Sequence, residues 1–177
     1  MGKYFQENVA KPLGIEFWIG LPAEYDARVA PMIFAQPDPS APMPRIAKMA
    51  FADNDSPAYH FMFNGGGYNP NSREGMAAEI GSGNGVTNAR GLAGMYAPLA
   101  NGGGKLVSKD TIARMGRVSM ATHEDATLAI PTRFSLGYMK SMDNRALENT
   151  DGCSCIISEA AFGHVGAGGS FGFAALM

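Results

Sequence analysis

Histidine has the clearest potential for chemistry in this sequence, at the entrance to a glycine-rich segment. His164 follows Phe162 and Gly163 and precedes a run of glycines that reaches Phe173. An imidazole can move protons near neutral pH, and glycines, which lack a Cβ, let a substrate or another backbone approach closely. The same residues also predict something simpler, a tight hairpin of two short strands that holds a structural histidine.

A serine in the same segment matches a nucleophile motif. Gly168-Gly169-Ser170-Phe171-Gly172 has the G-x-S-x-G spacing, which in α/β-hydrolases places a serine on a sharp strand-to-helix turn. In those enzymes the acid and the histidine of the triad come after the serine in the chain. The residues after Ser170 contain no Asp, Glu or His, and the motif lies inside the predicted hairpin. We therefore reject Ser170 as a nucleophile.

Several stretches of the sequence, taken in order, are similar to the motifs of one enzyme superfamily. They are N-V-A-K-P-L-G-I (8–15), W-I-G-L-P (18–22), N-G-V-T-N-A-R-G-L-A (84–93), L-A-N-G-G-G (99–104), T-R-F-S-L-G-Y (132–138) and H-V-G-A-G-G-S (164–170). Together they resemble the serine β-lactamase-like superfamily, in particular its β-lactamase-related esterases. The similarity is patchy between residues 23 and 75 but extends from one end of the chain to the other.

This resemblance implies roles for the histidine and its neighbours. In the superfamily, the H-x-G-x-G-G-S segment stands in the place of the K-T-G motif, on a strand that lines the active site. By resemblance His164 replaces that motif's lysine, and it polarises the substrate or holds the proton network. The backbone N–H of Ala167 matches one oxyanion-hole donor, which is worth about 2.7–4 kcal/mol in a complete enzyme. Gly166 would let the substrate approach, and Asn84, in a glycine loop, would border the cleft.

The nucleophile that such an enzyme needs is absent from the sequence. The superfamily uses a Ser-x-x-Lys helix and a Tyr-x-Asn or Tyr-x-Ser loop. No serine here has a lysine three residues later, and no tyrosine has Asn or Ser two residues later. We therefore interpret residues 1–177 as one partial domain of a β-lactamase-related serine hydrolase, a middle-to-late portion that is incomplete at both ends.

The function expected by resemblance is acyl hydrolysis of a small-molecule ester or amide, once the domain is completed. The chain alone is expected to be inactive, because it lacks the serine, lysine and tyrosine of the catalytic motifs. The alternative is a non-catalytic truncated fragment that binds a partner or has no function. Core surface that a partial domain leaves unburied is expected to favour self-association.

Composition argues against several other classes of protein. Hydrophobic residues make up 46% of the chain, and the net charge is −2 without a run of Lys and Arg, so neither disorder nor nucleic-acid binding is indicated. One residue separates Cys153 and Cys155, which makes a mutual disulfide geometrically awkward, and no further Cys or His lies near them to complete a zinc site. The dinucleotide-binding motif G-x-G-x-x-G is incomplete, because Val86 stands where its third glycine should be. No metal and no cofactor are expected.

The sequence contains no membrane or secretion signal. No apolar run approaches the length of about 20 residues that a transmembrane helix needs. The first ten residues are polar and lack the apolar centre of a secretory signal peptide. The expectation is a cytoplasmic protein that makes no contact with a membrane.

The order of elements predicts an α+β fold, with helices first and antiparallel strands later; the resemblance implies a partial β-lactamase/transpeptidase-like fold. Helices are predicted at 3–11, 89–100 and 109–119, with Asn88 or Thr87 capping the second. Strands are predicted at 132–142, 162–166 and 169–175. Seven prolines between residues 23 and 75 are expected to break any long element. The apolar run at 59–64 predicts a buried helix turn or strand.

Overall fold

The computed structural model describes residues 1–36, 38–147, 154–166 and 168–175. Its α-helices are α1 (Gly2–Phe5), α2 (Lys11–Leu13), α3 (Arg45–Ala52), α4 (Pro57–Phe63), α5 (Arg73–Ala77), α6 (Ala89–Ala100) and α7 (Lys109–Met115). Its strands are β1 (Phe17–Trp18), β2 (Val86–Thr87), β3 (Met120–Thr122), β4 (Thr132–Phe134), β5 (Phe162–Val165) and β6 (Phe171–Ala174). A π-helix at Gln6–Ala10 and a 3₁₀-helix at Ala23–Arg28 complete the elements in these ranges. The predicted α+β class is confirmed.

These elements form two compact units. The first consists of Met1–Phe34 and Gly67–Lys109, and the second of Ala35–Gly66 and Asp110–Met177. Within the described ranges, every helix is too short or too polar to cross a membrane.

The N-terminal helix runs without a break from α1 to α2 because a π-helical turn precedes its proline. Pro12 has no N–H, and in an α-helix its ring would clash with the carbonyl four residues earlier. Here the Lys11 N–H donates instead to the Gln6 carbonyl, five residues back. Gly14 then ends the helix in the left-handed conformation, with φ of 64°. The helix predicted at this end of the chain is confirmed.

In the first unit, α6 begins directly after the antiparallel pair of β1 and β2, in which Trp18 lies opposite Val86. The side chain of Asn88 caps α6, because it accepts a hydrogen bond from the Gly91 N–H at 3.0 Å. Tyr96 and Leu99 are buried on the apolar face of the helix. Three glycines with positive φ, Gly102, Gly103 and Gly104, follow its end. The bounds predicted for this helix, 89–100, are those observed.

One antiparallel sheet organises the second unit. Strand β3 pairs with β4, and β5 pairs with β6. Met139 joins the two pairs, since it bridges Phe134 of β4 and Gly163 of β5. The strands therefore follow the order β3, β4, the segment at Met139, β5 and β6. On this sheet Phe162 and Ala174 are fully buried.

The single strand predicted at 132–142 is wrong, because a tight turn interrupts it. The Ser135 N–H donates to the Tyr138 carbonyl at 2.8 Å, and Gly137 has φ of 80°. The chain thus reverses, and the Lys140 N–H donates back to the Arg133 carbonyl at 2.9 Å. The alternation of large and small side chains suggested one strand, but a glycine that adopts positive φ allows a turn there.

The third predicted helix, 109–119, begins as expected but is too long by four residues. It ends at Met115, and Gly116 follows, a residue that favours helix ends. The chain then enters the sheet, where the Ser119 N–H donates to the Phe134 carbonyl at 2.8 Å. Residues 116–119 therefore lead into β3 instead of forming the last predicted helical turn.

No long element forms in the proline-rich stretch, as predicted, but two short helices begin at its prolines. Pro44 immediately precedes α3, and Pro57 is the first residue of α4; at a helix start the missing N–H costs nothing. Alanines of the two helices, Ala50 and Ala58, are fully buried. The burial predicted for 59–64 is wrong, since Phe61 is 61% exposed on α4.

A substitution at Gly91 tests the packing at the start of α6. A Cβ there would lie 2.8 Å from the Glu16 carbonyl oxygen, a backbone atom, and would collide with the Thr87 hydroxyl. We expect Gly91→Ala to lower the free energy of unfolding by about 1–3 kcal/mol in urea denaturation, since crowding a packed site costs this much.

Gly94→Ala, in the same helix, is the matched control. Its Cβ would lie 2.5 Å from Cγ2 of Ile15, so that side chain must shift, but the clash is with a side chain and not with backbone. Alanine also favours the helix by about 0.5–1 kcal/mol over glycine, so Gly94→Ala should cost less stability than Gly91→Ala. Equal stabilities of the two variants would contradict the packing described for Gly91.

Candidate functional site

The glycine-rich segment is a β-hairpin, as predicted. The Gly166 N–H donates to the Ser170 carbonyl at 2.7 Å, and the Gly169 N–H donates to the Gly166 carbonyl at 2.9 Å. Gly169 has φ of 88°, so a left-handed glycine closes the loop before Ser170. Ser170 lies where this loop joins β6, and no helix follows it in the described chain. This placement agrees with its rejection as a nucleophile.

His164 lies on β5, opposite Gly172, and its imidazole is exposed. Its Nδ1 is 2.7 Å from the backbone carbonyl of Val165. A carbonyl oxygen only accepts hydrogen bonds, so Nδ1 carries a proton and the neutral ring has an unprotonated Nε2. The ring of Phe134 lies beside the imidazole, with 6.3 Å between the ring centroids. Nε2 is thus the ring atom that can accept a proton from a molecule outside the hairpin.

The strand that carries His164 is held from both sides. Gly163 donates its N–H to the Met139 carbonyl at 3.1 Å and accepts from the Met139 N–H at 2.7 Å. On the other side it lies opposite Phe173 of β6. A Cβ at Gly163 would be 2.7 Å from the Cα of Phe173, so this register requires a glycine.

A buried lysine fixes the segment just before β5. Lys140 is only 1% exposed, and its Nζ donates to the Glu159 carbonyl at 2.7 Å and to the Ala161 carbonyl at 2.6 Å. Sequence reasoning missed this residue, because a single lysine is normally exposed and no pattern marks this one as buried.

Burial lowers the pKa of Lys140; the Glu159 carboxylate opposes the shift and the Arg133 guanidinium adds to it. The folded chain therefore releases this proton at a lower pH than the unfolded chain. The contribution of Lys140 to stability rises with pH in the range below its ordinary pKa of 10.5.

An arginine–carboxylate pair lies beside the lysine. The Arg133 guanidinium binds both Glu159 carboxylate oxygens, at 3.0 and 2.5 Å, and also donates to the Ser141 carbonyl at 3.0 Å. The hydrogen bond from Arg133 lowers the pKa of Glu159 below its ordinary 4.5. Stability from this pair is present above pH 4.5 and is lost as the pH falls through the lowered pKa. Because Glu159 is exposed, solvent weakens the effect.

The other predicted site residues are Asn84, Gly166 and Ala167. Asn84 lies in the first unit and is buried, and its side-chain amide donates to the Gly75 carbonyl at 2.7 Å and to that of Ala78. These bonds tie the loop to the end of α5. Gly166 shares the hairpin with His164, and Ala167 lies outside the described residues. The substrate roles of Gly166 and Asn84 stay predictions.

This fold is found in a known family whose named members include esterases and β-lactamases. The family model described as beta-lactamase matches residues 1–176, and the chain belongs to that family. The Esterase/beta-lactamase LipL of Mycobacterium tuberculosis (strain ATCC 25618 / H37Rv) is 30% identical over 96% of this chain. The resemblance drawn from the sequence motifs is confirmed.

Solved structures give the same result. A family VIII carboxylesterase is 32% identical over 98% of this chain, with a TM-score of 0.70. A penicillin-binding protein homolog from Caulobacter crescentus is 28% identical over 98% of the chain, with a TM-score of 0.68. The chain spans 38% of LipL, 42% of the carboxylesterase and 43% of the homolog. It therefore has a partial β-lactamase/penicillin-binding-protein-like fold.

A substitution of Lys140 tests its role beneath β5. Lys140→Met leaves two buried carbonyl acceptors without their donor, and each loss of this kind costs about 1–3 kcal/mol. Methionine carries no charge that must be desolvated, and this offsets part of the loss. We expect a net loss of about 1–3 kcal/mol in the free energy of unfolding, measured in urea.

The control is Lys48→Met, which removes an exposed lysine of α3. It should change stability by less than about 0.5 kcal/mol. If the Lys140 variant proved as stable as the Lys48 variant, the two carbonyl hydrogen bonds would not support the segment before β5.

Proposed function

We propose that this chain is part of a serine hydrolase of the esterase or β-lactamase type, which cleaves a small-molecule ester or amide by acyl transfer. The observation that carries the proposal is the placement of His164, exposed on β5 just before the glycine turn, with its Nδ1 2.7 Å from the Val165 carbonyl. Membership in a family whose relatives are named esterase, beta-lactamase and carboxylesterase supports it.

In the proposed reaction, His164 lines the wall of the cleft and is not the nucleophile. A serine oxygen attacks the acyl carbon, its proton passes to a base, and the leaving group departs as an acyl-enzyme forms. Nε2 of His164 accepts a proton or a hydrogen bond within that network. The backbone N–H of Ala167 donates to the oxyanion. Gly166 and Asn84 complete the proposed substrate contacts.

The serine, lysine and tyrosine of this reaction lie outside the 177 residues in the proposal. The chain contains no Ser-x-x-Lys and no Tyr-x-Asn or Tyr-x-Ser. This observation also supports the alternative, a non-catalytic chain that binds a partner or has no function. A chimera with a relative that supplies the remaining segments distinguishes the two.

The 177-residue chain by itself should hydrolyse no p-nitrophenyl butyrate beyond the rate that the same concentration of free imidazole gives. An oxyanion donor and a histidine can stabilise a transition state only when a nucleophile attacks. Release of p-nitrophenol is followed by absorbance. A faster rate, lost when a residue of this chain is substituted, would overturn the proposed division of the catalytic groups.

A chimera tests His164 itself. The chain replaces the matching 42% of the family VIII carboxylesterase, and ester hydrolysis is measured with and without His164→Ala. We expect kcat/KM to fall about 10–100-fold, which corresponds to roughly 1.4–2.7 kcal/mol of transition-state stabilisation.

His123→Ala serves as the matched control, because His123 is another exposed histidine of the second unit. It should leave kcat/KM unchanged. Equal kinetics of the His164 variant and the parent chimera would make His164 structural. A folded but inactive parent chimera would favour the non-catalytic alternative.

A further inference from the structure

Two consecutive residues hold the strand that carries His164. The backbone of Met139 exchanges two hydrogen bonds with Gly163, the residue before the histidine. The side chain of Lys140 donates to the Ala161 carbonyl at 2.6 Å, immediately before β5 begins. All of these contacts lie inside the second unit. Strand β5 is therefore held at its start by a side chain and farther along by the backbone.

Lys140 connects β4 to the turn that leads into β5. Its backbone N–H donates to the Arg133 carbonyl of β4 at 2.9 Å. Its Nζ donates to the Glu159 and Ala161 carbonyls at 2.7 and 2.6 Å. An ammonium group has three N–H donors, so one side chain can bind two carbonyls at once. The position of the turn relative to β4 is thereby fixed by a single residue.

The imidazole of His164 shares one face of β5 with Phe162, because alternate residues of a strand point to the same side. On this face the Tyr138 ring lies 5.1 Å from the Phe162 ring, and the Phe134 ring lies 6.3 Å from the imidazole, between centroids. A shift of β5 by one residue would turn His164 to the opposite face. Whatever holds the register of β5 thus also determines where the imidazole points.

The hairpin of β5 and β6 has few side chains that specify this register. Glycine recurs through it, at positions 163, 166, 168, 169 and 172, and glycine-rich strands are prone to slip. A buried charge is costly to desolvate and is weak evidence for stability, whereas fixing one register among several is its best-attested use. Lys140 has this character, since it is 1% exposed and bound to two particular carbonyls.

We propose that Lys140 is a positioning residue for His164, because its ammonium group sets the register of β5 and thereby the direction of the imidazole. The catalytic consequence rests on the proposed function, in which His164 takes part in acyl transfer. Lys140 touches neither the substrate nor the reacting atoms and acts through the strand alone. A lysine that only stabilised the second unit would change the amount of folded protein and leave the imidazole of each folded molecule in place.

NMR of the 177-residue chain tests the register without any measurement of activity. A nuclear Overhauser effect between the amide protons of Met139 and Gly163 reports the observed pairing, since these two residues exchange both backbone hydrogen bonds. Lys140→Met should give a second set of signals for Gly163 and His164 in which this effect is absent. Lys48→Met, which removes an exposed lysine of α3, should give a single set, as the parent chain does.

A double-mutant cycle in the carboxylesterase chimera tests the action through His164. Lys140→Met should lower kcat about tenfold or more, because small displacements of a reacting group are costly, and should change KM by less than about twofold. In a chimera that already carries His164→Ala, the same substitution should lower kcat by less than about twofold, since the group that it displaces is gone.

Ile112→Val is the control for lost stability. Ile112 is buried in α7 of the same unit, and removal of one methyl group there lowers stability without touching β5. This variant should keep the kcat of the parent chimera when the rate is expressed per folded molecule. If Lys140→Met does not fold, Lys140→Gln, which is neutral but keeps N–H donors, replaces it in both tests.

Three results would overturn the proposal. They are a lysine variant that keeps a single set of signals with the Met139–Gly163 contact, a kcat equal to that of the parent chimera, and an equal loss of kcat with and without His164→Ala. A folded but inactive parent chimera counts against the proposed function instead, and the NMR measurement then decides whether Lys140 sets the register.

Discussion

The pairing of Gly163 on both sides is the contact on which the second unit depends. Its N–H and C=O close two hydrogen bonds to Met139, while Phe173 packs directly against the place where its side chain would be. No larger residue fits between these neighbours. Strand β5 is thereby fixed between β6 and the segment at Met139. The direction of the imidazole on the next residue follows from this pairing.

Charged side chains hold the segment that leads into β5. Lys140 is buried, and two backbone carbonyls accept hydrogen bonds from its Nζ. The charge is expensive to desolvate, but it satisfies acceptors that the sheet does not reach. The neighbouring pair of Arg133 and Glu159 holds the same segment from its solvent side. A polar anchor therefore aligns the chain before a strand that has almost no polar side chains of its own.

The sequence was a good guide where local signals decide structure. Helix α6 has a capping Asn88 at one end and three glycines at the other, and both bounds could be predicted. The hairpin at His164 could be predicted as well, because glycines and short apolar runs mark it. The motifs identified the family correctly, although no motif could show which atoms each side chain binds. Asn84 illustrates this, since its amide is bound to backbone carbonyls of its own unit.

Prediction from sequence failed where contacts between residues far apart in the chain determine the local structure or the burial of a side chain. The turn at Gly137 looked like continuous strand because alternation by itself does not reveal a positive φ. Lys140 could not be found because its burial depends on carbonyls at Glu159 and Ala161, far along the chain. The prolines between residues 23 and 75 do break long elements, as expected, but no signal in the sequence showed that short helices begin at Pro44 and Pro57. The exposure of Phe61 likewise depends on how α3 and α4 meet through their alanines.

The single tryptophan gives the first unit an optical signal of its own. Trp18 is the one tryptophan in the sequence, and its ring lies against that of Tyr25 with 4.7 Å between centroids and an angle of 37° between the ring planes. Indole emission responds to the polarity around the ring and to neighbouring groups. Its wavelength and intensity therefore report on the surroundings of Trp18 in the first unit. A change in Trp18 fluorescence that precedes the loss of circular dichroism from the sheet would reveal that the two units unfold separately.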